Sequence, residues 1–100
     1  IKNKNLILPI ESLGNKHVYY NYVIRVKKRQ KLIDYLKKNN IETKIIYPVP
    51  VHMMKPYKNL SNKKLTITNK LGKQILSLPI YPGLDTKSQN RIIKVLNNFK

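Results

Sequence analysis

Four acids, two histidines, three glycines and no cysteine are all that this 100-residue chain offers to the familiar catalytic arrangements. Glu11, Asp34, Glu42 and Asp85 are scattered, and no two have the spacing of a paired general acid and base. His17 and His52 are not spaced as metal ligands, and without cysteine no thiolate zinc site can be completed. Gly14, Gly72 and Gly83 stand alone, so there is no glycine-rich phosphate loop. Ser77, His52 and Asp85 make a hydrolytic triad on paper, but any chain with one of each residue permits that. Two apolar stretches remain as places where chemistry could sit.

The first is YPVPVHMMKPY, residues 47–57. Pro48, Pro50 and Pro56 each remove a backbone donor, so the stretch cannot be regular. Loops usually run over the surface and are polar, yet this one holds two tyrosines, two valines, two methionines and His52, with a single charge at Lys55. Such a loop should be covered, by another domain, another subunit or a ligand, unless it packs on its own domain with His52 as a core histidine. The second stretch, LSLPIYPGL at residues 76–84, raises the same question. Its plain structural reading is a buried crossing ahead of the last helix.

The elements that would position these loops alternate. Residues 5–11 are short and apolar around Pro9, and read as an edge segment or linker. Residues 17–26 (HVYYNYVIRV) are rich in Tyr, Val and Ile and read as a strand, with Val18, Tyr20, Tyr22, Ile24 and Val26 on one face. A helix is expected over 28–39, with Leu32, Ile33 and Leu36 on one stripe. Asn39-Asn40 ends it, because asparagine tolerates the left-handed conformation. Residues 42–46 read as a second strand stopped by Pro48. A third amphipathic segment over 67–76 spaces Ile67, Leu71 and Ile75 four apart. Asp85 or Thr86 then caps a final helix turning Ile92, Ile93, Leu96 and Phe99 inward. The order predicts an α/β or α+β fold, helices packed on a small sheet.

One hundred residues make one domain or part of one. No apolar run approaches the length of a membrane span, and no signal peptide is visible. The net charge of +17 points at face value to nucleic acid or an acidic surface. Against that, lysines outnumber arginines 18 to 3, are spread along the whole chain and are accompanied by 12 asparagines. Recognition of bases and phosphates favours the forked guanidinium. The excess reads mainly as solvated surface set by composition, with a polyanion site or the phosphates of a nucleotide-linked substrate as the other reading.

The two loops also carry a resemblance. Residues 17–60, followed by 71–96, resemble the C-terminal domain of the DegT family of PLP-dependent sugar aminotransferases. The matching positions are His17 with Tyr22, Val23, Ile24 and Arg25, then Ile41 with Thr43. Tyr47-Pro48, Pro50 with His52, Pro56-Tyr57 and the run 76–84 complete them. Asn40 departs from the family's usual glycine, Met54 from a common glutamine, and Thr66 and Asn69 from a proline and an acid. The last two read as surface or turn changes.

The resemblance implies a fold-type I enzyme, acting as a homodimer in the cytoplasm, in a route to cell-surface polysaccharide or glycoconjugate. It would move an amino group, with glutamate as donor, onto a keto group of a nucleotide-linked sugar. Pyridoxal phosphate would be held by a larger domain that supplies the Schiff-base lysine and an acid at the ring nitrogen. Neither motif is found here, so this stretch alone is expected to be inactive and to hold no cofactor-binding residue. Residues 1–16 are then a linker or edge segment from the large domain, and 17–100 the small domain. Tyr47 and His52 are the candidate substrate-side residues, with Arg25 and Ser77 as weaker ones. An inactive relative serving as an interaction module, or a small basic nucleic-acid binder, are the competing functions. Neither nucleic acid nor membrane is an expected partner of the aminotransferase.

Overall fold

The computed structural model describes residues 1–59 and 64–100; Leu60, the last residue of the first run of family likeness, lies outside them. Three short strands form one antiparallel sheet in the order β1 (Leu6–Ile7), β2 (Tyr22–Val26), β3 (Ile75–Leu78). Register pairs Leu6 with Val26, and Tyr22 and Ile24 with Leu78 and Leu76. Strand alternation therefore turns Ile24, Val26, Leu76 and Leu78 to one face, and Val23, Arg25 and Ser77 to the other.

The inner face is the core. Leu32 and Leu36 of α1 (Arg29–Lys38) and Leu96 of α3 (Thr86–Asn97) close on it, with Ile41 and Phe99 beside them. Ile24, Leu32, Leu36, Leu76 and Leu96 are fully buried, and each such side chain contributes about 1.5–3 kcal/mol of burial. Polar ties fix the helices to one another: the Tyr35 hydroxyl donates to the Val95 carbonyl at 3.3 Å, and the Arg91 guanidinium to the Asn39 carbonyl. The chain's start is laid against the same layer. Asn3 Nδ2 donates to the carbonyls of Leu96 and Phe99 at 2.8 and 2.7 Å, and Leu6 is buried.

The small sheet with packed helices agrees with the fold class read from the sequence, as do α1 and α3. Asp85 caps α3, its carboxylate accepting from the Ser88 amide at 2.8 Å. Asn40 takes φ +54°, the left-handed helix end.

Three expected elements differ. The strand expected over 17–26 begins only at Tyr22. Tyr22 pairs with Leu78, and the next residue, Pro79, has no N–H to extend the ladder. The chain before Tyr22 instead bends at Tyr19 (φ +48°), whose amide donates to His17 Nδ1 at 2.8 Å.

The strand expected over 42–46 shrinks to one bridge, Lys44 to Ser77, made by two backbone bonds of 3.1 and 2.9 Å. Beyond the bridge Pro79 again lacks a donor, and on the other side the Ile75 carbonyl is taken by Arg29 Nη1 at 3.3 Å. The segment 67–76 is not one amphipathic element. Helix α2 (Thr66–Gly72) ends at glycine, and Ile75 opens β3. Leu76, Ser77 and Leu78, expected in a crossing, are therefore a sheet strand.

Candidate functional site

The outer face of the sheet positions the candidate residues. Ser77 sits on β3 opposite Val23 and is 7% exposed, held from both sides by the pairing with β2 and the Lys44 bridge. That bridge brings the following residues past the strand's end. As a result Tyr47 and Ser77, thirty positions apart in sequence, line one open depression of about 850 Å³ with Thr43, Lys44, Tyr20 and Tyr81. Tyr47 is 73% exposed at its mouth.

Tyr20 and Tyr81 were not singled out from the sequence. An unbroken strand would put Tyr20 on the same face as Ile24 and Val26; the bend at Tyr19 carries it out to 88% exposure at the depression instead. Tyr81 follows Pro79 in the second apolar stretch, and its exposure depends on where β3 stops.

His52 stands elsewhere. It lies in the first of two 3-10 turns (Val51–Met53 and Lys55–Tyr57) that fold the proline-rich loop. Its Nε2 meets Asn69 Oδ1 of α2 at 2.8 Å. One turn further along α2, a Cβ at Gly72 would lie 3.2 Å from Pro50 Cγ. Asn69 and Gly72 share a helix face, so the loop is seated on α2 at two points. Asn69, read from the sequence as a surface change, is thus the partner of a candidate residue. The sign of it in the sequence was the pairing of an unusual residue at 69 with a histidine inside the loop.

Arg25 points to the outer face as well, but it lines a different cavity with Lys28, Lys70 and Gln74. Of the four candidates, the structure brings Tyr47 and Ser77 together and places His52 and Arg25 apart from them.

Near the depression, His17, Tyr19 and Tyr22 form a stack with ring centroids 4.2 and 5.7 Å apart. Burial, with Tyr19 beside it, pushes the Tyr22 phenol above its ordinary range. The depression itself offers phenol hydroxyls, the Thr43 and Ser77 hydroxyls, the Asn21 amide, the Lys44 ammonium and the Glu42 carboxylate. Those groups donate and accept hydrogen bonds, and the rings offer flat apolar faces. This suits a polyhydroxylated small molecule.

Pyridoxal phosphate does not fit the described residues. The cofactor needs a lysine shielded from water and an acid at the ring nitrogen. Every described lysine, and all four acids, are exposed. Among the described residues no group of three or more acids and histidines could hold a metal ion.

A small antiparallel sheet, backed by helices on one face and with an aromatic depression on the other, is the frame in which these residues stand. Residues 2–97 match the DegT/DnrJ/EryC1/StrS aminotransferase family, and the chain belongs to that family.

The dTDP-3-amino-3,4,6-trideoxy-alpha-D-glucose transaminase of Micromonospora megalomicea subsp. nigra is 38% identical over 91% of this chain and 25% of its own length. A DegT DnrJ EryC1 StrS aminotransferase from Brucella abortus superposes with a TM-score of 0.87 at 31% identity, over 95% of this chain and 26% of that one. NtdA of Bacillus subtilis, solved with the cofactor PMP bound, gives a TM-score of 0.80 at 27% identity over 93% and 22%. The chain spans about a quarter of the length of these relatives. Among the described residues no helix is long and apolar enough to cross a membrane.

Proposed function

We propose that this chain is the C-terminal small domain, residues 17–100 with an edge segment before it, of a PLP-dependent sugar aminotransferase. The whole protein transfers an amino group, with glutamate as donor, to a keto group of a nucleotide-linked sugar. It works in the cytoplasm as a homodimer, toward cell-surface polysaccharide or glycoconjugate. Family membership supports the reaction class, and the relatives' substrates support the nucleotide sugar. The observation that carries the role of this domain is the meeting of Tyr47 and Ser77 at one aromatic-rimmed depression.

In this reading the cofactor is bound outside these residues and supplies the electron sink. The chain's own part is to bind and orient. The Tyr47 and Tyr81 rings lie against the flat parts of the substrate, the Ser77 and Thr43 hydroxyls pair with sugar hydroxyls, and Lys44 meets negative charge. His52 acts by holding the loop that carries Tyr47, through its bond to Asn69, and Arg25 supports the same face from β2.

The test is kinetic, on the intact enzyme. Tyr47→Ala, which removes the ring, should raise KM for the keto sugar, and His52→Ala should raise it too, while the cofactor's absorbance stays unchanged. Wild-type kinetics in both variants would sink the role assigned to this face.

A further inference from the structure

Arg25 carries a buried nitrogen, Nε, that has no hydrogen-bond partner among the described residues. Its Nη2 reaches only the neutral Gln74 side chain, at the long distance of 3.4 Å. With Nε closed off from solvent, the guanidinium meets a ligand through its two outer nitrogens, a pair of donors suited to two oxygens of a phosphate.

Arg25 lines a cavity of about 300 Å³ at the junction of β1, β2 and the chain's end. Lys4, Lys27, Lys28, Lys70 and Lys100 line it too, and none of the four acids does. Ile7, Val26 and Phe99 supply its apolar surface, and the last two are buried. Cations crowded over a low-dielectric wall concentrate positive potential in the cleft between them.

Lys27 and Lys28 lead straight into α1, whose N-terminus has no side-chain cap and no acid in its first turn. The helix dipole there adds potential of the same sign. A surface that only spreads charge for solubility would not gather five lysines around a guanidinium that has no acidic partner among the described residues. A multivalent anion seated among them relieves their mutual repulsion.

We propose that this cavity binds a small polyphosphate group, a diphosphate or triphosphate, with Arg25 as its anchor and the five lysines as its rim. It shares no lining residue with the Tyr47–Ser77 depression, so anion binding here can be read apart from sugar binding there.

The probe is inorganic tripolyphosphate, titrated by calorimetry into the intact protein at physiological salt. Arg25→Gln should weaken binding about tenfold, the loss of a charge-assisted bidentate contact. Should Arg25→Gln fail to fold, the exposed pair Lys28→Gln and Lys70→Gln replaces it and should weaken binding several-fold. Lys87→Gln and Lys94→Gln on α3, away from the cavity, should leave it unchanged.

Equal losses at cavity and α3 lysines would mean diffuse charge and would overturn the site, as would unchanged binding in the cavity variants. Adenosine triphosphate in place of tripolyphosphate separates the sources: equal affinity assigns the phosphate chain alone, and tighter binding assigns a nucleotide. A single-stranded oligonucleotide that binds more tightly than either, with a steep salt dependence, would reassign the surface to nucleic acid and overturn the proposal.

Discussion

Replacing Asn69 by alanine removes one of the two points that seat the proline-rich loop on α2. It takes away the partner of His52 Nε2, a 2.8 Å contact between partly buried groups, and leaves the Pro50 contact at Gly72 in place. A hydrogen bond of this kind contributes about 0.5–1.5 kcal/mol net. The imidazole can be rehydrated because the loop opens to solvent, so the cost stays in that range. Confined to local opening of the loop, it corresponds to an opening equilibrium about 2- to 12-fold larger.

Native-state hydrogen exchange reads this directly at Met53 and Met54. Their amides donate to the Pro50 and Val51 carbonyls at 2.8 and 3.0 Å and close the first 3-10 turn. Both should exchange faster by that factor, while the Val26 amide, bonded to the Gln74 carbonyl at 3.0 Å, keeps its protection. Asn69→Asp retains an acceptor and should restore most of the effect. Unchanged exchange at Met53 and Met54, or equal acceleration at Val26, would refute the view that Asn69 holds the loop.

Other perturbations act on the frame. Leu36→Ala removes a fully buried side chain between α1 and the sheet and should cost about 2–5 kcal/mol in denaturant unfolding. Asp85 is held below its ordinary carboxylate range by the bonds from the Ser88 amide and hydroxyl. Its contribution is therefore present above pH 3.8 and lost as pH falls below that value. Wild type should lose stability over that window more than Asp85→Asn does, as followed by acid titration of the circular dichroism signal. The raised Tyr22 phenol has the opposite sense: its contribution is intact below pH 10.0 and declines as pH rises above it. Ultraviolet titration should find one tyrosine ionising late, and Tyr22→Phe should remove that late step.

Much of the frame was legible because it depends on local signals. The leucine stripe of α1, the Asp85 cap and the left-handed Asn40 each follow from residues within a turn of one another. The sheet was less legible because its extent depends on which backbone groups are already used. Pro79 ends the pairing of β2 with β3 and also limits the Lys44 bridge, though it lies far in sequence from both 17–21 and 42–46. Arg29 takes the Ile75 carbonyl from a helix on the other side of β3 in the chain. The apolar run 76–78 reads equally well as a buried crossing or a buried strand, since periodicity does not separate them.

The site shows the same division. Tyr47 and Ser77 were found through the two apolar, proline-rich stretches that hold them. Tyr20, Tyr81 and Asn69 were missed, because their roles appear only once the bend at Tyr19, the end of β3 and the face of α2 are known.

The central claim is that the Tyr47–Ser77 depression faces a nucleotide-linked sugar. Calorimetric titration of a dTDP-linked sugar into the intact protein tests it most directly, comparing Tyr47→Ala with Tyr57→Ala, which lies in the same loop outside the depression. The account predicts a Kd raised about tenfold, near the loss expected of one stacked ring, for Tyr47→Ala and no change for Tyr57→Ala. Equal affinities in wild type and Tyr47→Ala would contradict it.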